Sequence, residues 1–358
     1  VFLLDHHIVY HLLVLHKTGT LLQDIPEGVR VIEGTSFFNA VDSPLKELLK
    51  KGDLPHLFSK LRLLLYMKTG LIRSKILKER KKMLSGVYDV EMAAKEGFCT
   101  IFTAYGNSKR KVNWVLTDYS VCNYSANHMR LVKSALQKID LNIADSAEAT
   151  EAYKKVFGIQ NVITIHNLMN TEKVEKGKTK TEDQAEIDPS KLNLISVIRF
   201  HPQKAADRLL QAHKYVLDQG IQHELYLIGG GEQEAMLLKM QKDLNLTHLH
   251  FLGFKTNPYA DIRACDLFVL PSLYEGFATV INESFIAGTP VLSTEVAGVH
   301  ELITAPHYGW IVENSQKGLN EGLLNALQSK DQLQEMKRQL QGYHYPNDEI
   351  IRKFTEVL

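Results

Sequence analysis

The chain has 358 residues, 42 Lys and Arg against 41 Asp and Glu, and 44% hydrophobic residues. That length suits about two domains, and the composition suits a globular protein with a sizeable core. A net charge of +1 lacks the basic excess of a nucleic-acid binder, so no nucleic-acid partner is expected. No apolar stretch is long enough to predict a transmembrane helix, and no signal peptide is visible. Cys99, Cys122 and Cys265 are few, odd in number and widely spaced. They predict neither a disulfide framework nor a zinc site, and they suit a reducing cytoplasm.

In chain order, the first residues read as the end of a helix. Val1 is not methionine, so a preceding segment is expected. Up to residue 166 the chain holds short apolar runs bounded by turn or charged residues, as buried parallel strands are. They are His11–Leu15, Val29–Ile32, Tyr88–Met92, Thr100–Phe102, Val112–Leu116, Leu141–Ala144 and Val162–Ile165. Between them, residues 60–82 carry nine Lys and Arg against one Glu, interleaved with Leu and Ile. Such a segment suits either a solvated basic helix face or contact with an anionic bilayer surface. Residues 167–191 are polar and without apolar periodicity, which predicts an interdomain linker.

The second half, 192–345, alternates more regularly. Strands are predicted at Leu194–Arg199, Glu224–Ile228, Leu249–Leu252, Leu267–Leu270, Pro290–Ser293 and Trp310–Val312. Apolar spacing of three and four residues predicts helices between them, one through Leu209, Leu210, His213 and Val216, another through Met236, Leu237 and Met240. Residues 346–358 read as a terminal helix that returns to the first domain. Two doubly wound, Rossmann-like α/β domains facing a cleft are therefore expected, with ligands at the carboxyl ends of the strands.

One strand ends near Pro271, and a helix is predicted to start at Gly276 or Phe277, exposing backbone N–H groups to an anion. Glu275 precedes that start and Glu283 lies inside the helix. If helical, eight residues span roughly 12 Å. One carboxylate then reaches a sugar and the other a ribose, because a carboxylate accepts two hydrogen bonds from a vicinal diol. Alone, each glutamate is equally an ordinary residue near a helix start. Arg199 and Lys204, five residues apart across a loop, can both reach one diphosphate. Gly229, Gly230 and Gly231 follow a strand as a tight turn or a phosphate approach, without dinucleotide fingerprint spacing.

These elements resemble the family 4 glycosyltransferases, retaining enzymes of the GT-B fold. The resemblance runs from Leu194 to the end. It rests on Arg199 and Lys204, Ile228 to Gly231, Phe251-Leu252-Gly253, Ala264 to Ser272, Glu275-Gly276-Phe277 with Glu283, Ala287 to Val291, and Gly298 with Glu301. It implies that Glu275, Arg199 and Lys204 serve catalysis, Glu275 on the donor sugar and the two cations on the diphosphate leaving group. It implies that Glu283 holds the ribose, that Gly276 and Phe277 offer N–H groups, that Gly230 and Gly231 line the donor, and that the base lies near 251–257. The donor is then a UDP- or GDP-sugar acting as co-substrate, with no cofactor and no metal. No Asp-x-Asp doublet is present to hold a metal.

Residues 88–119 are similar to the branch that builds capsular and exopolysaccharides, which implies a glycan or lipid-linked acceptor and a cytoplasmic site, peripheral on the membrane through 60–82. Relatives often carry histidine where this chain has Leu116; Asp118 is either the substitute contact or a helix or turn cap. The family's opening strand and glycine-rich loop have no counterpart before Leu12. An alternative is a non-catalytic protein of the same fold that binds a partner transferase or glycan. An epimerase or phosphorylase on a similar scaffold is a third class, and no pyridoxal lysine site supports the latter.

Overall fold

The computed structural model describes residues 9–17, 22, 25–121, 124–179, 183–304 and 307–358. The helix end expected at the chain start and Cys122 lie outside them. Strands β1 (His11–Val14) and β2 (Arg30–Glu33) pair in parallel. Helices α1 (Leu45–Lys51), α2 (Leu54–Thr69) and α3 (Ile72–Met83) follow. Then come β3 (Val90–Ala93), α4 (Phe98–Ala104), β4 (Arg110–Val115), α5 (Ala126–Leu136), β5 (Leu141–Ala144), α6 (Ala147–Phe157) and β6 (Val162–Thr164). These four strands form a parallel sheet in the order β3-β4-β5-β6. Side chains of Asp53, Ser125 and Ser146 cap α2, α5 and α6, satisfying N–H groups that a helix start leaves open.

Residues 100–102, expected as a strand, lie in α4. Thr100 to Ala104 are all buried. A short apolar run buried all round has no period that separates strand from helix. The expected linker also carries a helix, α7 (Thr171–Gly177), capped by Asn170 and anchored by buried Val174.

The second sheet is built from β7 (Asn193–Val197), α8 (Ala206–Asp218), β8 (Glu224–Ile228), α9 (Glu234–Asp243), β9 (Leu249–Gly253), α10 (Tyr259–Ala264) and β10 (Leu267–Leu270). It continues through α11 (Thr279–Ala287), β11 (Val291–Thr294), α12 (Val299–Leu302), β12 (Gly309–Val312), α13 (Gln316–Gln328) and α14 (Lys330–Leu340). All pairings are parallel and the order is β12-β11-β10-β7-β8-β9. The chain winds outward from β7 in both directions, so the switch point lies between β7 and β10, where open α/β sheets bind ligands. Helix α15 (Asn347–Val357) packs Phe354 against Trp114 of β4, ring centroids 5.1 Å apart. It ties the end of the chain to the first sheet.

Far from the cleft, His213 and His223 are buried against each other, Nδ1 to Nε2 at 2.7 Å. His223 Nδ1–H donates to the Ile221 carbonyl, so its Nε2 accepts and His213 Nδ1–H donates. Burial pushes the His213 imidazole down to about 3 and lowers His223 as well. The fold refuses protons that the unfolded chain accepts near 6.5, so this pair's stabilisation is present above that pH and is lost as pH falls. Urea unfolding of the wild type and the double variant His213→Leu, His223→Leu tests this. The wild type should gain on the variant as pH rises to about 6.5 and then level off; a pH-independent difference refutes it.

Candidate active site

Arg199 follows β7, and residues 202–204 form one turn of 3₁₀ helix, begun by His201 accepting from the Gln203 N–H. That turn aims Lys204 across the switch point. Its Nζ donates to both oxygens of Glu275, at 2.6 and 2.8 Å. Ser272 Oγ donates to the same carboxylate at 2.6 Å. The 271–275 loop is held from several sides. Gln203 Nε2 donates to the Tyr274 carbonyl, Thr294 Oγ1 to that of Ser272, and Asn314 Nδ2 to that of Leu273. Glu275 is buried, while Arg199 is exposed and forms no ion pair among the described residues.

The helix after this loop begins at Thr279 rather than at Gly276 or Phe277. Phe277 is buried and stacked on His166, centroids 5.0 Å apart and planes 21° apart, and this contact holds residues 276–278 outside the helix. The helical rise therefore does not measure the separation of Glu275 and Glu283. Glu283 lies in α11, beside Tyr259 of α10 and Lys173 of α7. Burial pushes its carboxyl from 4.5 up to about 7.

The glycine run does not act as a unit. Gly229 and Gly231 have φ of 148° and 153°. A side-chain carbon on them would lie 1.9 Å from the Ile198 carbonyl oxygen and 2.5 Å from that of Phe200. They let the β8 turn lie against the β7 turn. A side-chain carbon on Gly230 would make only an ordinary contact, with Glu234 Oε2 at 3.9 Å. The Gly229 N–H donates to the Gly253 carbonyl, which brings the 253–254 turn alongside, and Phe254 there is 80% exposed.

The first sheet meets this site directly. A side-chain carbon on Gly276 would sit 2.3 Å from the Leu116 carbonyl oxygen. Glu96 orders that loop by accepting from the Leu116 N–H and from Thr117 Oγ1. Ser146 Oγ donates to the Gly276 carbonyl. Glu301 accepts from the Ala147 N–H and from His166 Nε2, both at 2.7 Å, and Glu148 accepts from the Gly298 N–H. Burial and the adjoining Glu301 push Glu148 up. Against its own burial, His166, Glu148 and the Ala147 N–H hold Glu301 down.

Asp118 lies in the same loop, but its Oδ1 accepts from the Ser120 N–H and hydroxyl. It shapes a turn, the ordinary use of aspartate there and the second of the two roles its sequence position allows. Glu96, Ser146, Glu148 and His166 escaped the sequence reading. Only Ser146, a helix cap directly after a strand, carried a local signal.

Residues 177–342 match the family model described as Glycosyl transferases group 1. This stretch, a little under half of the chain, is similar to group 1 glycosyl transferase domains. An N-acetylgalactosaminyltransferase of Campylobacter jejuni, named for a diacetylbacillosaminyl-diphospho-undecaprenol acceptor, is 28% identical over 234 residues, covering 63% of this chain and 62% of that protein. The amylovoran biosynthesis glycosyltransferase AmsK of Erwinia amylovora is 31% identical over 151 residues, 39% of this chain and 37% of that one. The chain thus spans less than two thirds of the length of these relatives. Among solved structures, Anabaena HepE in complex with UDP and glucose has a TM-score of 0.70 at 18% identity, covering 97% of this chain and 90% of HepE. At that identity the likeness shows a shared fold, the two-domain GT-B architecture, with the group 1 domain as its second half.

Proposed function

We propose that this chain is a retaining glycosyltransferase that moves a hexose or N-acetylhexosamine from a UDP- or GDP-sugar to a glycan or lipid-linked acceptor in cell-surface polysaccharide synthesis. The observation that carries the reading is the Lys204–Glu275 pair, which spans the switch point of the group 1 domain. When the anomeric bond breaks, negative charge grows on the departing diphosphate. Lys204, Arg199 and the N–H groups of Gly276 and Phe277 are the donors placed for it, and such preset donors lower the barrier without a metal or cofactor. Glu275 accepts from sugar hydroxyls, and Glu283 from the ribose. Exposed Phe254, beside Gly230 and Gly231, offers a face on which a base can stack. Asp118 contributes by shaping the 116–120 turn.

The name of the Campylobacter relative supports a diphosphate-linked lipid acceptor, and the HepE complex supports a UDP donor over a GDP one. No helix among the described residues is long and apolar enough to cross a membrane. The basic, Leu- and Ile-interleaved segment 60–82 supports a place on the cytoplasmic membrane surface. Thermal shift of the full chain with UDP-, GDP- and ADP-sugars tests the donor. A ligand at 100 times its Kd should add about 2.7 kcal/mol. No stabilisation by any of them, with no sugar transfer or donor hydrolysis, overturns the reading and favours the non-catalytic alternative.

The Glu283 assignment has its own test. Ribose hydroxyls donate to the ionised carboxylate and so favour it. Donor binding should then draw the carboxyl down from about 7 and release a proton near neutral pH. Calorimetry of UDP binding in buffers of different ionisation enthalpy should show that release, and Glu283→Gln should abolish it. Equal proton release by the variant rejects the role.

A further inference from the structure

A polar cavity lies in the first domain, away from the donor site. It has a volume of about 180 Å³ and is lined by Thr35, Ser36, Ser59, Arg62, Lys75, Glu79 and Lys82 among others. The 35–37 segment follows the carboxyl end of β2, and α2 and α3 supply the other walls. Glu79 is buried. Lys75 Nζ donates to it at 2.5 Å and Lys82 Nζ at 3.0 Å. Its own burial would raise the carboxyl, but these two lysines hold it at about 2. It is an anion at every pH of interest, and it sets two ammonium groups in place. Arg62 on the facing helix has no ion pair among the described residues. Three cations and one carboxylate therefore line the cavity, which keeps a net positive charge that an anion of phosphate size can meet. Arg62 supplies a planar fork, the ammonium groups supply point charges, and Ser59 supplies a hydroxyl.

The same helix is apolar on its outer side. Leu54, Phe58, Leu61 and Leu65 recur at spacings of four, three and four residues, and they are 46–65% exposed. A stripe at that spacing lies on one helix face. An exposed apolar stripe of this kind marks a contact surface. With basic residues beside it, it fits the boundary between lipid headgroups and acyl chains. At 16 residues, α2 is shorter than the roughly 20 that a span requires, so its stripe suits contact along a surface rather than a crossing.

We infer that the cavity formed by Arg62, Lys75, Lys82 and Ser59 is a lipid-phosphate site, with the hydrocarbon side of the lipid against the Leu54–Leu65 stripe. The inference rests on the lipid-linked acceptor proposed above, and it moves that reading from diffuse basic charge to one built pocket at the carboxyl end of β2. Glu79 is a positioning residue here, holding Lys75 and Lys82 for the phosphate.

Co-sedimentation of the full chain with vesicles of phosphatidylcholine alone, or mixed with phosphatidylglycerol, tests it at physiological ionic strength. Binding should require phosphatidylglycerol. Arg62→Glu with Lys82→Glu should weaken it about tenfold or more. Leu61→Ser with Leu65→Ser should weaken it similarly, whereas Lys68→Glu with Lys78→Glu, off the cavity, should cost only a few-fold. Equal losses from both charge-reversed pairs mean diffuse electrostatics and overturn the pocket. Binding to neutral vesicles alone also overturns it. So does stabilisation by inorganic pyrophosphate that depends on Arg62 in a protein that ignores vesicles, because the ligand is then a soluble phosphate. UDP-induced thermal shift is measured on every variant. A variant that loses vesicle binding and keeps the UDP shift supports the pocket; a wild type that binds UDP and ignores all vesicles counts against the pocket alone, and a wild type that binds neither UDP nor GDP counts against the glycosyltransferase reading.

Discussion

Glu275→Gln should lower turnover by about 10²-fold or more, the scale expected when a preorganised transition-state contact is removed. The amide keeps the shape and leaves Lys204 a hydrogen-bond acceptor. It cannot take both the Lys204 ammonium and a sugar hydroxyl as an ionised carboxylate does. Alanine is a poorer probe. Lys204 and Glu275 are only 18% and 7% exposed, and removing one partner of such a pair strands the other charge at a cost of about 3–5 kcal/mol. Lys204→Ala is therefore expected to lose stability as well as activity, and its kinetics must be read beside its unfolding curve. For Glu275→Gln, wild-type turnover with a donor that demonstrably binds would remove Glu275 from the site.

The second large effect is expected at Gly276. A methyl group there would lie 2.3 Å from the Leu116 carbonyl oxygen and 3.3 Å from the Thr117 Cα. Both are backbone atoms of the other domain, held by Glu96, so neither side can yield cheaply. Gly276→Ala should keep each domain folded while pushing the two apart at the site. UDP binding should change little, because most of its proposed partners belong to the group 1 domain. Transfer should fall by about 10²-fold, since a shift of about 1 Å in reacting groups costs that much. Calorimetry with UDP and a transfer assay separate the two effects. Unchanged transfer would mean that the observed closure is not the reacting arrangement.

Much of the second half was legible because its signals are local. A buried strand is a short apolar run, and Glu224–Ile228 and Leu267–Leu270 read directly as β8 and β10. The motif residues sit where loops must leave strands, so Arg199, Lys204 and Glu275 could be placed at one sheet end before any coordinates. The first half was less legible. Residues 100–102 form a helix because burial on all sides erases the periodicity that would announce one. Asp118 could be read as a ligand or a turn cap, and its bonds to Ser120 show it in a turn. His166 carries no local signal, yet it stacks on Phe277 and binds Glu301, 135 positions away in the chain.

The sequence by itself determined the alternation of strands and helices, the second-half motif set and the class of ligand those residues suit. All of these depend on neighbours within a few residues or on residue types at fixed spacing. Only the tertiary structure decided that Lys204 grips Glu275 across the switch point, that Gly276 meets Leu116, and that Arg62 and Glu79 share a cavity. Each of these is a contact between distant segments. Such contacts follow from sheet order and from the packing of one domain on the other, which no local pattern encodes.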